Sequence, residues 1–253
     1  MVLTHTTNHT YSHPFPTVTL AFFLRYYSPR LNPFSSHVLS SDTISSHVDP
    51  QTGRLHTTRI HMKKTRLPSA VVKLLPSSVT GGGGDKSSYV LETSVVDIKE
   101  GWMKTESRNL NYTGVLSVVE EQRYSTTPPD QATSSSLSGS GTVGSSRTLA
   151  PNTFVTTTFS YRSTLGGKKH EKAAAESTDG NEESGTRRFG DWISGWGAKR
   201  IQSSIESIAS NKTDDQILKS RDGMRIVLER LRSNGVVAVL RELRRREGNV
   251  FEQ

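Results

Sequence analysis

The sequence contains no cysteine, which removes disulfide scaffolds, thiol nucleophiles and thiolate metal sites together. Long apolar runs are missing too: no stretch approaches the roughly 20 consecutive apolar residues that cross a bilayer as a helix. Only 32% of the 253 residues are hydrophobic and 7% aromatic, with a mean hydropathy of -0.53. That supply suits one core of roughly 170 residues and leaves the remaining length as solvated inserts. The first fifteen residues hold neither Arg nor Lys and no apolar run, so they resemble neither a secretory signal nor a transit peptide. A chain of this kind inside an organelle is expected to enter it without a cleavable address. Catalytic motifs are lacking as well. There is no G-x-S-x-G elbow, no G-x-G-x-x-G and no P-loop, because Gly81 to Gly84 is not followed by Lys-Ser/Thr. The expectation is a protein without enzymatic activity, cofactor or metal.

What the chain has is positive charge. A net charge of +8 and a pI near 9.8 call for an anionic partner: nucleic acid, acidic membrane or a phosphorylated ligand. Charge alone does not choose among them.

Thr4 to Tyr11 reads as a first strand, ended by the His13-Pro14 and Phe15-Pro16 breakers. Val18 to Tyr27 reads as a short helix with Leu20, Phe22, Phe23 and Leu24 on its apolar face. His37 to Asp49 and Gly53 to Met62 form a hairpin about Asp49-Pro50-Gln51-Thr52-Gly53, where Pro presets φ and Gly supplies a positive φ. Leu67 to Val79, bracketed by Pro68 and Pro76 and followed by the glycine run, is an apolar segment too short and too interrupted for a core helix. Ser88 to Asp97, Trp102 to Tyr112 and Gly114 to Tyr124 follow in meander spacing, and Asn152 to Arg162 is a last strand. Low-complexity inserts occupy 126–150 and 166–186.

From Arg187 the period changes to three and four. Phe189, Trp192, Ile193, Trp196, Ile201, Ile205 and Ile208 precede Asn211-Lys212-Thr213, after which Ile217, Met224, Val227, Leu228 and Leu231 resume the stripe. This predicts a long helix, kinked near Asn211 and stopped at Ser233-Asn234-Gly235. A tail, 236–253, can form a short basic amphipathic helix. The fold class is α+β, a curved antiparallel sheet gripped by a long C-terminal helix. Periodicity does not say whether side chains fill the space between them.

Many fragments resemble the PRELI-like family, especially its fungal phosphatidic acid transfer branch. They include Met1-Val2-Leu3-Thr4-His5, Leu20-Ala21-Phe22-Phe23-Leu24-Arg25-Tyr26, His37-Val38-Leu39-Ser40 and Leu55-His56-Thr57-Thr58-Arg59. Glu92-Thr93-Ser94-Val95-Val96-Asp97, Arg108-Asn109-Leu110 and Lys219-Ser220-Arg221 with Gly223-Met224 continue the series. No fragment is a specific motif; their number, order and spacing carry the likeness. It implies a domain over 1–235 whose sheet and helices enclose a lipid cavity under a mobile lid. It also implies a shuttle in the mitochondrial intermembrane space that transfers phosphatidic acid, supports cardiolipin synthesis and binds a small twin-cysteine helical helper protein. Arg25-Tyr26-Tyr27-Ser28-Pro29 departs from the family's arginine-tyrosine-proline-asparagine-proline, which loosens the headgroup assignment.

Arg25 lies among Phe22, Phe23 and Tyr26, and a guanidinium partly buried there needs an anion that its fork can match. The resemblance makes it the headgroup ligand on the pocket floor, and Arg25→Glu is then expected to abolish transfer with the domain intact. The bland alternative is a surface arginine at a helix C-terminus. By resemblance Lys63, Arg66, Lys212, Gln216 and Lys219 ring the mouth and steer the protein to acidic membrane; otherwise they are solvated surface charges. Lys212 and Lys219 are two helical turns apart on one face, with Gln216 between. Leu67, Pro68, Val71, Val72, Leu74 and Leu75 would form the lid, or else a buried connecting loop. His37 stands near the headgroup or is structural. His5, His9 and His13 are incidental, since four-residue spacing gathers metal ligands only on a helix.

Three functions compete. Nucleic-acid binding is disfavoured because the basic residues neither line one helix nor interleave with exposed aromatics. A phosphatidylserine carrier of the same family, or a regulator that binds without transporting, stays open beside the phosphatidic acid carrier.

Overall fold

The computed structural model describes residues 2–64, 87–111, 113, 116–128, 151–163 and 196–248, with side chains from 213 to 244 in the C-terminal helices. β1 (Val2–Tyr11) leads into α1 (Phe15–Leu24) and a 3-10 turn at Pro33–Ser35. β2 (Val38–Val48), β3 (Leu55–Lys64), β4 (Ser87–Asp97), β5 (Trp102–Asn109), β6 (Leu116–Ser125) and β7 (Thr153–Ser163) follow. Two helices, α2 (Trp196–Asn234) and α3 (Val236–Gly248), end the described chain. The strands form one open curved sheet in the order β1-β7-β6-β5-β4-β3-β2, antiparallel at every step. This is the expected α+β plan.

Local chemistry explains where boundaries moved. The prolines that stop β1 also start the helix: Pro14 caps α1 and Pro16 occupies its first turn, where no helical N–H is needed. The helix therefore begins at Phe15 and ends at Leu24, earlier than the sequence suggested. β5 stops at Asn109 because that side chain replaces the ladder. Its Nδ2 donates to the carbonyls of Asn111 (2.7 Å) and Leu116 (2.9 Å), and its Oδ1 accepts from Val118 N (2.8 Å). At the β2–β3 turn the Asp49 carboxylate accepts from Gln51 N at 3.0 Å, and Gly53 takes φ 69° as predicted. The helix assigned as α2 runs unbroken through Asn211, and Thr213 is buried there, hydrogen-bonded to the Tyr161 hydroxyl. A residue that read as an interruption is a packing contact.

α2 runs alongside β1 in the same direction. Asp214 lies 3.5 Å from His5, Arg221 donates to the Thr7 hydroxyl at 2.9 Å, and Glu229 lies 3.9 Å from His13. Its inward stripe of Met224, Val227, Leu228 and Leu231 is buried against α1 and the inner sheet face. Each such side chain contributes about 1.5–3 kcal/mol by leaving water. Gly235, at φ 73°, turns the chain into α3, whose Val239 joins the same core.

The register divides the inner sheet face into rows. Leu55, Val96, Met103, Tyr124 and Val155 make an apolar row beneath α1. Thr57, Ser94, Thr105, Gln122 and Thr157 make the next, and Arg59, Glu92, Ser107, Glu120 and Phe159 the one after. Beyond these a second apolar cluster gathers Phe159, Tyr161 and Ile217 with Leu3, Leu116 and Val118. A polar belt thus lies between two greasy ends.

Candidate functional site

The belt's centre is one buried carboxylate. Glu92, 2% exposed, receives Arg25 Nη2 on Oε2 and Arg59 on Oε1, from Nη2 and from Nε at 3.0 Å. Arg25 reaches it from the C-cap of α1, where Nη1 also donates to Phe22 O (2.7 Å) and the guanidinium stacks 3.6 Å from the Phe22 centroid. Arg59 Nη1 donates to Phe23 O at 3.1 Å, tying β3 to the same helix. His61 places Nε2 3.4 Å from Glu92 Oε2, and its Nδ1 is 2.8 Å from the Ser41 hydroxyl.

Electrostatics follow from this crowding. Burial works to raise the Glu92 pKa, but Arg25, the His61 contact and Arg59 outweigh it and hold the carboxyl far below the usual range. Burial opposes the Arg25 charge as well, yet Glu92, Tyr26 and Tyr124 together outweigh it and raise its pKa. His61 is pushed the other way: burial lowers its pKa despite Glu92 beside it, so the neutral ring is favoured.

Lys63 extends the cluster along β3. It is half-buried, with Nζ 5.0 Å from the Tyr26 ring centroid. Facing it on β6, Glu120 accepts from Gln122 Nε2 at 2.7 Å, and Gln122 Oε1 accepts from the Tyr124 hydroxyl at 2.6 Å. Burial raises the Glu120 carboxyl against the pull of Lys63 and Arg25. Ser107, Val118, Glu120 and Gln122 all keep partial accessibility on the inner face, whereas Thr57, Thr105 and Thr157 are buried.

Of the residues singled out from sequence, Arg25 and Lys63 come together here. Arg25 is buried rather than at a surface, and its anion is already supplied by Glu92. His37 is exposed just before β2, its Nδ1 3.0 Å from Phe34 O. Gln216 and Lys219 are exposed on α2, flanking the buried stripe at the Tyr161 end. Lys212 belongs to α2, with its side chain outside the described set. Arg66 and the lid residues Leu67, Pro68, Val71, Val72, Leu74 and Leu75 lie outside the described residues, as do 166–186 and nearly all of 126–150.

Arg59, His61, Glu92 and Glu120 escaped the sequence reading. The signal was present for β3, where Arg59, His61 and Lys63 alternate and so share one face of a strand. Glu92 and Glu120 carry no such signal, because their importance arises from register with β3 and β5.

The sequence pattern of the PRELI-like family matches residues 16–160. Protein UPS1, mitochondrial, of Saccharomyces cerevisiae is 42% identical over 140 residues, 55% of this chain and 71% of that protein. The Schizosaccharomyces pombe protein ups1 homolog is 37% identical over 108 residues, 43% of this chain and 56% of its own. PRELI domain-containing protein 1, mitochondrial, of Homo sapiens is 36% identical over 105 residues, spanning 42% of this chain and 43% of the human protein. The family match takes in α1, the whole run from β2 to β6 and most of β7, and with it every member of the Arg25–Glu92 cluster. The chain belongs to the PRELI-like family.

Proposed function

We propose that this chain carries one anionic glycerophospholipid between mitochondrial membranes, and that phosphatidic acid is the cargo its charges fit best. The observation behind this is a charge imbalance inside the polar belt. Arg25, Arg59 and Lys63 are three cations against one firmly ionised carboxylate, Glu92. Glu120 is held toward its neutral form. Two positive charges are then uncompensated, or one where Glu120 ionises. Buried charge without a partner is costly. A phosphomonoester, at about −1.5 to −2 near pH 7, matches the deficit. A phosphatidylserine headgroup fits less well, because its ammonium would enter a site already rich in cations.

Two apolar clusters flank the belt, and inward-facing Val118 and Ser107 keep accessible surface. Both favour acyl chains running along the inner face in a lipid cavity. Two of the relatives are named mitochondrial, which favours that organelle. Family likeness extends the reading to the intermembrane space, a twin-cysteine helper and supply of a cardiolipin precursor. In this reading the chain binds and releases its cargo without catalysing a reaction.

The deciding experiment is native mass spectrometry of the purified protein with lipid identification, followed by transfer between vesicles. One bound phosphatidic acid per chain and preferential transfer of it are expected. Absence of bound phospholipid, or equal transfer of neutral lipid, overturns the proposal. Arg25→Glu is not the clean variant that the sequence suggested: it would set a second carboxylate against buried Glu92 and unfold the core. Lys63→Gln leaves the Arg25–Glu92–Arg59 group intact and tests phosphate binding directly.

A further inference from the structure

α3 has two faces with different destinations. Val239 and Leu243 point into the core, where Val239 is 3% exposed. Val237, Leu240, Arg241 and Arg244, spaced at three and four residues, share another face and are all exposed. Val237 is 67% exposed and Leu240 38%, with Val236 beside them at 40%. Aliphatic side chains flanked by long cations on one side of a helix are the makeup of an interfacial helix, with arginines snorkelling to phosphates while the aliphatics enter the headgroup layer. Among the described residues the patch has none of the aromatic anchors that dominate protein hot spots.

Position adds to the argument. Along α2, Thr213 lies beside Tyr161 at one end of the sheet and Leu231 lies in the core cluster with Tyr11 and Phe15 at the other. α3 therefore starts at the end remote from Lys63 and Ile217. We infer that the outward face of α3 docks on an anionic lipid surface, a membrane contact separate from the end where Lys63 lies. Docking there leaves the Lys63 end free, so the molecule can stay on one leaflet without presenting its cargo site to it. The inference does not depend on which lipid, or whether any lipid, occupies the polar belt.

The test is flotation of the full chain with vesicles of phosphatidylcholine alone or mixed with phosphatidylglycerol, at low salt. The protein is expected to float with the mixed vesicles and not with the neutral ones. Arg241→Gln/Arg244→Gln should weaken binding at least tenfold, from roughly fivefold per arginine beside an anionic leaflet. Val237→Ser/Leu240→Ser should weaken it several-fold. Both pairs are surface changes, so far-UV circular dichroism and lipid content by native mass spectrometry should match the parent. Equal flotation of parent and both variants overturns the inference. So does parent binding to neutral vesicles as strongly as to mixed ones. So does a variant that keeps vesicle binding but changes oligomeric state, which would make the patch a protein contact.

Discussion

Arg25 and Glu92 stand 67 residues apart in sequence and share one buried ion pair, with Arg59 on the other oxygen of the same carboxylate. The pair fastens α1 to β3 and β4, so the floor of the inner face depends on a single acid. Glu92→Gln should therefore cost about 3–5 kcal/mol, because two guanidiniums lose their buried counter-charge at once. Urea denaturation at neutral pH checks this: the midpoint should fall with little change in slope. A loss below about 1 kcal/mol would mean that the arginines find another anion or reach water.

The same cluster sets an acid limit in two stages. The His61 and His9 pKa values are lowered in the folded state by burial, with Arg221 adding to the effect at His9. The unfolded chain therefore binds more protons below about pH 6.5, and stability falls as pH drops through that value. Glu92 is depressed on folding, so its contribution is complete above the unfolded carboxylate pKa of about 4.3 and is lost as pH falls further. Glu120 has the opposite sign. Its raised folded pKa makes it a liability as pH rises, so Glu120→Gln should stabilise the protein at pH 8 relative to pH 5. Denaturation midpoints measured across this range read all three slopes. In the Glu120→Gln variant, where the opposing slope is removed, a midpoint flat from pH 7 to 5 would contradict the histidine assignment.

Those groups also mark what sequence could and could not reveal. Strand and helix order was legible because turns carry their own chemistry, as at Asp49 and Gly53, and because the apolar stripe from Ile217 to Leu231 has helical period. The Asn109 end of β5 was not, since a side chain replacing a ladder leaves no trace in periodicity. Arg25 was visible through its aromatic neighbours and family likeness. Its partner was not, because Glu92 acquires that role only when β4 pairs with β3 and lies under α1. The partner of Thr213 was hidden for a related reason: its buried contact with the Tyr161 hydroxyl joins residues 52 apart in sequence.

Gly223 links the long helix to the site. A Cβ there would come within 2.7 Å of Asn32 Oδ1 and 2.8 Å of Nδ2. Asn32 cannot yield cheaply, since its Nδ2 donates to Arg25 O (2.9 Å) and its Oδ1 accepts from Phe34 N (3.1 Å). Gly223→Ala should therefore destabilise by about 1–3 kcal/mol, despite the better helix propensity of alanine, as overpacking does in other cores. Thermal denaturation checks the sign. A stabilised variant would show that the helix can shift away from Asn32.

Salt separates two kinds of cation in this molecule. Lys219 is exposed on α2, so attraction between it and an acidic membrane is screened within a Debye length of about 10 Å at 0.1 M salt. Lys63 is half-buried over Tyr26, and in the proposed reading it meets a ligand inside the fold, where screening is weak. Lys219→Glu should slow phosphatidic acid transfer between vesicles at low salt and converge on the parent rate as salt rises. Lys63→Gln should reduce transfer at every salt concentration. Transfer rates across a salt series, with both variants beside the parent, decide the matter. A Lys63 effect that vanishes at high salt would place that lysine in membrane encounter rather than in headgroup binding.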